Sequence, residues 1–584
     1  MIGASGWRSS RNHIFREAAV KNNQDGGEAV VEAFRNLGIK YVISSPGSEW
    51  SPVWEALTRQ VHEKNHGPQY IQCWHEALAV NMATGYTFVT GEAQAVLLHA
   101  GVGLLHGAMG IRSALQAEVP MLVMSGESVT LGADPDNPAE QQWYGGVSPG
   151  GADRLVSPLV KWAAQVPSTP TLYQSIIRAG EMAGRAPQGP IYLDVPLEYM
   201  LEDWTPSEEL RKVPAAPKTQ AAPEQLGQLA AAIVEAENPV IVTEHSGRDP
   251  EAFAALVELA EAAAIPVIGG RGTSYANFPT DHQLWQGVES YGHLADADLV
   301  LLVGGRTPWY PPTQRPTPGR IVAIGDHPHK EWLIYQVMHA DAYLEGDVAA
   351  TLRALVGAIT AAGPDQKTKQ TRRAKWAGEH AKTLDALKAE RDSAAAAGTL
   401  NAATICTAMA EVMPADTIFV DETITHIPVL RKHLSMTRPQ TLFRHAGGGL
   451  GQGLGLALGV KLAAPERPVV LFIGDGCLLY NPIIQAFGAS REHRLPIIVV
   501  VMNNGHYKAM KRGHERHYPD GMVNKTELTY GIEIQGPEYE DLGSHFGFKG
   551  ARADSYAGFK DALRDAAAEA AGGSTAIINA VLPD

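Results

Sequence analysis

Residues 470 to 507 read VLFIGDGCLLYNPIIQAFGASREHRLPIIVVVMNNGHY. Two apolar runs, 470–473 and 497–502, each end in polar residues: Gly474-Asp475-Gly476 after the first, Asn503-Asn504 after the second. Between Gly476 and Asn503 lie residues 477–502, 26 in all. That is enough for one helix and the following strand, a single βαβ crossover. Such a crossover makes the two strands parallel and brings their carboxyl ends to the same sheet edge. Open α/β sheets bind ligands at that edge. The stretch therefore predicts a parallel α/β sheet with Asp475 and Asn504 close together at its ligand-binding edge.

The residue types at that edge suggest a chemistry. Glycines on both sides of Asp475 let the backbone turn sharply and approach a ligand. A helix starting near residues 477–481 would offer free N–H groups and the positive end of its dipole to a phosphate. Asp475 alone would repel a phosphate. A divalent cation between the two removes the conflict, and magnesium takes carboxylate, amide, carbonyl and phosphate oxygens together. Asn504 can supply the amide oxygen.

The rest of the chain extends this pattern. At 584 residues it is too long for one core. Short β-branched runs such as KYVISS (40–45), AVLLHA (95–100), PMLVMSG (120–126) and GPIYLDVP (189–196) alternate with Ala-rich segments of helical period. That alternation argues for parallel sheets covered by helices. Residues 203–223 are rich in Pro, Lys and Glu, and residues 362–398 read as a linker plus a surface helix. The fold class expected is α/β, with three doubly wound parallel-sheet domains at 20–202, 221–360 and 399–584. The first and third are of similar size, but no duplication is demonstrable from sequence. In the central block Gly269-Gly270 and Gly304-Gly305 sit at strand ends, as tight turns or as a ligand edge. No GxGxxG follows a strand there, so FAD or another nucleotide would rest on fold analogy alone.

Composition excludes several classes. The net charge of -15 argues against a nucleic-acid or anionic-membrane binder. Three cysteines, Cys73, Cys406 and Cys477, form no CxxC pair, which argues against a zinc site or a disulfide framework. The first twenty or so residues read as a loose arm and lack an apolar signal core. No run approaches the roughly 20 apolar residues of a membrane span. A cytoplasmic protein is expected.

GDG followed at this spacing by NN resembles the cofactor motif of the thiamine-diphosphate enzymes, and the resemblance covers nearly the whole chain. It implies that Asp475, the side chain of Asn504 and the backbone carbonyl of His506 bind magnesium. Gly476, Cys477 and Tyr480 would meet the diphosphate. In FRHAGGGLGQGLGLALG (443–459), Gly448 would hold the aminopyrimidine through its carbonyl, and Leu450 would wedge the cofactor into a V. A close helix–sheet contact is an alternative reason for some of these glycines. In VDETITHIPVL (420–430), Ile424 and Thr425 would lie beside the diphosphate. YIQCWHEALAVNMATGYTFVTG (70–91) resembles the family's Glu-to-Gly-Tyr helix, which makes Glu76 the catalytic acid on the pyrimidine nitrogen. Alone, Glu76 would read as a dipole-stabilising first-turn residue.

The branch implied is the acetolactate synthase and benzoylformate decarboxylase group. In that group two chains share each site, so a homodimer or homotetramer is implied, with Glu76 of one chain facing Asp475 of another. His99 aligns with the active-site histidine of benzoylformate decarboxylase, and Ser48 with its substrate-binding serine. Pro311 stands near the place of that enzyme's second histidine, so a second proton relay is missing or differently supplied. Met510 replaces a glutamate of pyruvate decarboxylase and, with His75, is a candidate for the substrate pocket. The basic segment 508–520 reads either as a contact for a substrate carboxylate or coenzyme A, or as an exposed helix. The insertion 134–154 could line a channel or form a subunit contact. The implied activity is non-oxidative decarboxylation of a 2-oxo acid. Alternatives are an acetolactate-synthase-like carboligase, a lyase acting on a hydroxy-ketone, and a non-catalytic regulatory protein that binds thiamine diphosphate.

Overall fold

The computed structural model describes residues 24–129, 142–206, 209–306, 308–309, 312–316, 319–336, 338–526 and 528–583. Pro311 and the first part of the 134–154 insertion lie outside the described residues. Three six-stranded sheets follow one another, and every pairing among the described strands is parallel.

The first sheet holds β1 (Tyr41–Ser45), β2 (Gln69–Gln72), β3 (Gln94–Leu98), β4 (Met121–Ser125), β5 (Trp162–Gln165) and β6 (Pro190–Asp194), in the order β2-β1-β3-β4-β6-β5. The second holds β7 (Pro239–Thr243), β8 (Val267–Gly269), β9 (Trp285–Val288), β10 (Leu299–Val303), β11 (Arg320–Gly325) and β12 (Ala342–Glu345), in the order β12-β11-β10-β7-β8-β9. The third holds β13 (Ile418–Glu422), β14 (Leu442–Arg444), β15 (Val469–Gly474), β16 (Ile498–Asn503), β17 (Lys549–Ala553) and β18 (Ala576–Val581), in the order β14-β13-β15-β16-β18-β17. The first and third orders are the same when each sheet is counted from its own first strand. This recurrence was not visible in the sequence.

In each sheet the order of strand addition reverses at the first strand, which places a topological switch point between β1 and β3, between β7 and β10, and between β13 and β15. The central strands β3, β4, β7 and β10 are buried along their whole length, as expected of strands covered by helices on both faces. Edge strands are less regular. β5 is largely half-buried and β17 mostly exposed.

The first and third domains are clasped by two helices, Glu76–Thr90 and Gly453–Ala463. Their backbones approach so closely that a Cβ at Gly85 would lie 2.1 Å from the Leu456 carbonyl oxygen, and one at Gly459 2.0 Å from that of Met82. Gly455 and Gly459 thus serve a close helix contact, although it is helix against helix rather than helix against sheet. The Glu76 helix starts where the His75 ring accepts the Ala77 N–H at 3.1 Å, and it ends at Gly91 in the left-handed region. The helix Gln366–Ala396 turns Arg372, Trp376 and His380 inward and leaves the rest of its length largely exposed. In the central sheet Gly270 and Gly272 pack against the fully buried Glu244, which accepts N–H groups from Gly272 at 2.8 Å and Arg306 at 2.6 Å. No described helix is long and apolar enough to cross a membrane.

Candidate functional site

β15 and β16 lie side by side in register, with Gly474 opposite Met502. Asp475 and Asn504 therefore emerge at adjacent strand ends. A cavity of about 160 Å³ opens there. Its wall includes Ile424, Thr425 and His426 after β13, Leu450 from the glycine loop, Asp475-Gly476-Cys477 after β15, and Asn504, His506, Lys508 and Met510 after β16. Most of the residues expected to touch the cofactor's diphosphate or its metal thus surround one space.

The helix expected near residues 477–481 is shorter and earlier. A single turn spans Asp475–Leu478, Pro482 follows, and the longer helix is Ile483–Glu492. Pro482 carries no N–H, and it sits just ahead of that helix's first residue. The turn is held by Asp475 itself, whose carboxylate accepts N–H groups from Gly476 and Gly505, each at 2.7 Å. Burial raises the Asp475 pKa above the ordinary aspartate value, and the Gly476, Gly505 and Asn504 N–H groups oppose that rise.

Residues 505–507 are pinned from the far side. Ile534 donates to the Gly505 carbonyl at 2.8 Å, and Tyr507 donates to that of Ile532 at 2.7 Å. Asn504 Oδ1 accepts the His506 N–H at 3.2 Å. The donor set at this edge is a carboxylate, an amide oxygen and backbone carbonyls. Burial pushes the neighbouring Cys477 thiol up, so it stays protonated. Oxygen donors without a thiolate fit a hard cation such as magnesium rather than zinc. His426 stands in the cavity wall with its Nε2 buried and no hydrogen-bond partner there. Burial, then Lys508 and Arg512, lower its pKa to about 4, so the ring is neutral near pH 7.

One residue that sequence reasoning missed organises the loop carrying Leu450. Glu422, the last residue of β13, is fully buried. Its carboxylate accepts N–H groups from Gly451 at 2.7 Å, Gln452 at 2.9 Å and Gly453 at 2.8 Å, and from the Asn481 amide at 2.9 Å. These bonds tie the start of the Gly453–Ala463 helix to the strand beside Asp475. Gly448 and Gly451 adopt positive φ of 68° and 94°, which the turn into this cradle requires. Replacing Glu422 by alanine leaves buried donors unpaired. Amide hydrogen exchange at Gly451–Gly453 is expected to accelerate about a hundredfold, since such losses cost about 3 kcal/mol together. Unchanged protection would show that the carboxylate does not hold the loop.

The first-sheet crevice holds a second cluster. Glu49, fully buried after β1, faces His99, which directly follows β3. The His99 Nδ1 lies 2.9 and 3.1 Å from the two carboxylate oxygens, and the Ala100 N–H donates to Glu49 at 2.7 Å. An ionised Glu49 carboxylate orients the ring by drawing a proton to Nδ1, which makes Nε2 the ring nitrogen turned away from Glu49. Glu49 was missed too. Its only signal was an acid just after a strand in a Gly-Ser turn. Ser48, next to it, is exposed.

Glu76 opens its helix with a largely shielded side chain. Its carboxylate lies 3.2 Å from His106 Nδ1 and 4.0 Å from His75 Nδ1, and the two imidazoles stack at 5.5 Å. Burial lowers the His75 pKa. His75 and Tyr480 line a neighbouring space of about 300 Å³ that Leu450 separates from the Asp475 cavity. Gly448 is exposed and lines neither space. Within one chain, Glu76, His99 and Ser48 are not among the residues lining the Asp475 cavity.

Three family models match the chain. They are the N-terminal TPP binding domain of thiamine pyrophosphate enzymes over residues 24–143, the central domain over 226–355, and the C-terminal TPP binding domain over 424–580. A benzoylformate decarboxylase of Pseudomonas aeruginosa is 26% identical over 557 residues, covering 92% of this chain and 96% of the relative. The acetolactate synthase isozyme 3 large subunit of Escherichia coli is 24% identical over 515 residues, covering 84% of each chain. The solved structure of a thiamine diphosphate-dependent 4-hydroxybenzoylformate decarboxylase from Rhodococcus jostii has the same fold. It superposes with a TM-score of 0.77 at 22% identity, covering 96% of this chain and 99% of that one.

Proposed function

Because the chain belongs to the thiamine pyrophosphate enzyme family and is a thiamine-diphosphate-dependent enzyme, we propose that it decarboxylates a 2-oxo acid without oxidation. The observation that carries this reading is the shared cavity: the diphosphate and metal candidates line one space, and a proton-handling pair stands at the equivalent crevice of the first sheet. When bound, the cofactor supplies a carbon nucleophile and an electron sink, chemistry that no side chain provides.

The chain's own residues do the rest. Asp475, Asn504 and the His506 carbonyl hold a magnesium ion that lets an anionic diphosphate sit against Asp475. Gly476, Cys477, Ile424 and Thr425 border that group, Tyr480 lies beside it, and Leu450 and Gly448 position the cofactor's rings. Glu76 keeps a proton at a ring nitrogen of the cofactor. His99, oriented by Glu49, exchanges a proton with the substrate through Nε2, and Ser48, His75 and Met510 shape the substrate's surroundings. Glu76 and His99 do not line the cavity of their own chain, which supports a site completed by a second copy. In a homodimer or homotetramer, Glu76 of one protomer faces Asp475 of its partner.

The test is a panel of 2-oxo acids with thiamine diphosphate and magnesium, with and without an acceptor aldehyde, read by mass spectrometry. The expected products are carbon dioxide and the aldehyde one carbon shorter. Acetolactate from pyruvate, with no aldehyde from any acid, would instead make the enzyme a carboligase.

A further inference from the structure

The cavity at Asp475 has a charged mouth that the proposed chemistry does not yet use. The helix Lys508–His517 begins at the cavity wall, where Lys508, Ala509 and Met510 contribute to the lining. No residue of this helix is buried. Lys508, Lys511, Arg512, Glu515 and Arg516 are spaced three and four apart, so they share one face of the helix. Four of the five are cationic, in a chain whose net charge is -15. The stripe runs from the cavity for about 12 Å at the rise of an α-helix.

The charge of this stripe is felt inside the cavity. Lys508 and Arg512 both disfavour a proton on His426, which lines the same space. Asp421, the acid that acts on His426 in the opposite sense, has the weakest of these effects and is tied to Arg444 at 3.2 Å. A neutral histidine and Lys508, the first cation of the stripe, therefore line the same cavity as Asp475. Arg512 and Arg516 are not among the residues that line the cavity at Asp475. The stripe continues from Lys508 at the cavity wall along a helix with no buried residue.

We propose that this stripe selects substrates whose end remote from the reacting carbonyl carries a second anion: a carboxylate, a sulfonate or a phosphate. The inference rests on the 2-oxo acid reading and adds the substrate class to it. The first carboxylate is the one lost, and the second stays on the product and is held at Arg512. Attraction of this kind, between groups at a solvent-facing mouth, gives selectivity that weakens with salt.

The test uses 2-oxo acids of matched length, ending in a methyl, an amide, a carboxylate, a sulfonate or a phosphate. The full-length enzyme is loaded with thiamine diphosphate and magnesium, and kcat/KM is compared across the series. The ratio of anion-ended to amide-ended acid should be about tenfold or more at low ionic strength and should shrink as salt is added. Arg512→Glu should lower that ratio about tenfold, mainly through KM, and Arg512→Lys should keep most of it. The three anionic ends distinguish which group the stripe prefers. Equal turnover of amide-ended and anion-ended acids, or a ratio unchanged in Arg512→Glu, would overturn the inference and leave the decarboxylase reading standing. Weaker binding of thiamine diphosphate by Arg512→Glu, seen by calorimetry with the substrate ratio intact, would also overturn it, assigning the stripe to the cofactor. No turnover of any acid would overturn the decarboxylase reading itself.

Discussion

Glu76→Gln is expected to lower turnover about a thousandfold while thiamine diphosphate still binds. Glutamine has nearly the same shape but cannot carry the carboxyl proton that the cofactor's ring nitrogen needs. Proton transfer by one positioned group contributes about a hundredfold to ten-thousandfold, so its loss lands in that range. Binding should survive because the diphosphate is assigned to another surface, the edge with Asp475 and Asn504. Two measurements check this: steady-state turnover on the best 2-oxo acid, and deuterium exchange at the cofactor's C2 followed by NMR. Both should fall together. Full turnover in Glu76→Gln would show that the proton comes from elsewhere, with His106, 3.2 Å from the Glu76 carboxylate, the first place to look.

Asp475→Ala is expected to abolish activity for a different reason. The carboxylate makes two short bonds to backbone N–H groups and is the one acid among the described residues of the cavity wall. Without it the proposed metal loses its only charged protein ligand, and the diphosphate loses its bridge to the sheet edge. Thiamine diphosphate affinity in the presence of magnesium should drop about a hundredfold, the scale seen when supports of a metal site are removed. Calorimetry checks this directly. Chelation followed by dialysis should give native enzyme the same defect, and added magnesium should reverse it. Asp475→Asn keeps the acceptor that holds Gly505 or Gly476, so it separates a loss of metal from a loss of local structure. If Asp475→Asn bound cofactor and metal as tightly as the native chain, the assignment of the metal site would be wrong.

Much of this architecture was legible because strand ends carry information that strand interiors do not. A buried apolar run can be helix or strand, but one that stops at Gly-Asp-Gly, followed by a second that stops at Asn-Asn, points to a crossover and a polar edge. The Glu76 helix could be read from its small-residue face of Ala77, Val80, Ala83 and Thr84 and from the likeness of residues 76–91 to a family segment, whereas the close contact at Gly85 appears only in the fold. Glu49, Glu244 and Glu422 were not legible. A fully buried glutamate looks in sequence like any surface glutamate, and what distinguishes it is the backbone N–H groups that converge on it from distant segments. The edge strands β5, β9, β12 and β17 were also lost, because four or five residues with partial exposure have too little periodicity to register. The helix after Asp475 was placed late because Pro482 splits one expected helix into a turn and a helix.

The shared strand order of the outer sheets gives the molecule an internal pseudo-symmetry. When β1 is laid on β13 and β3 on β15, His99 falls on Asp475, because each is the residue after the strand across the crevice. Glu49 and Glu422 are not equivalent in this sense, since Glu422 ends β13 and Glu49 lies beyond the end of β1, although each accepts a backbone N–H from a neighbouring segment. One half of the pair has kept an imidazole where the other has a carboxylate. Under the proposed roles, the same scaffold position would serve proton traffic in one lobe and a cation in the other, a division of labour between two halves of like strand order.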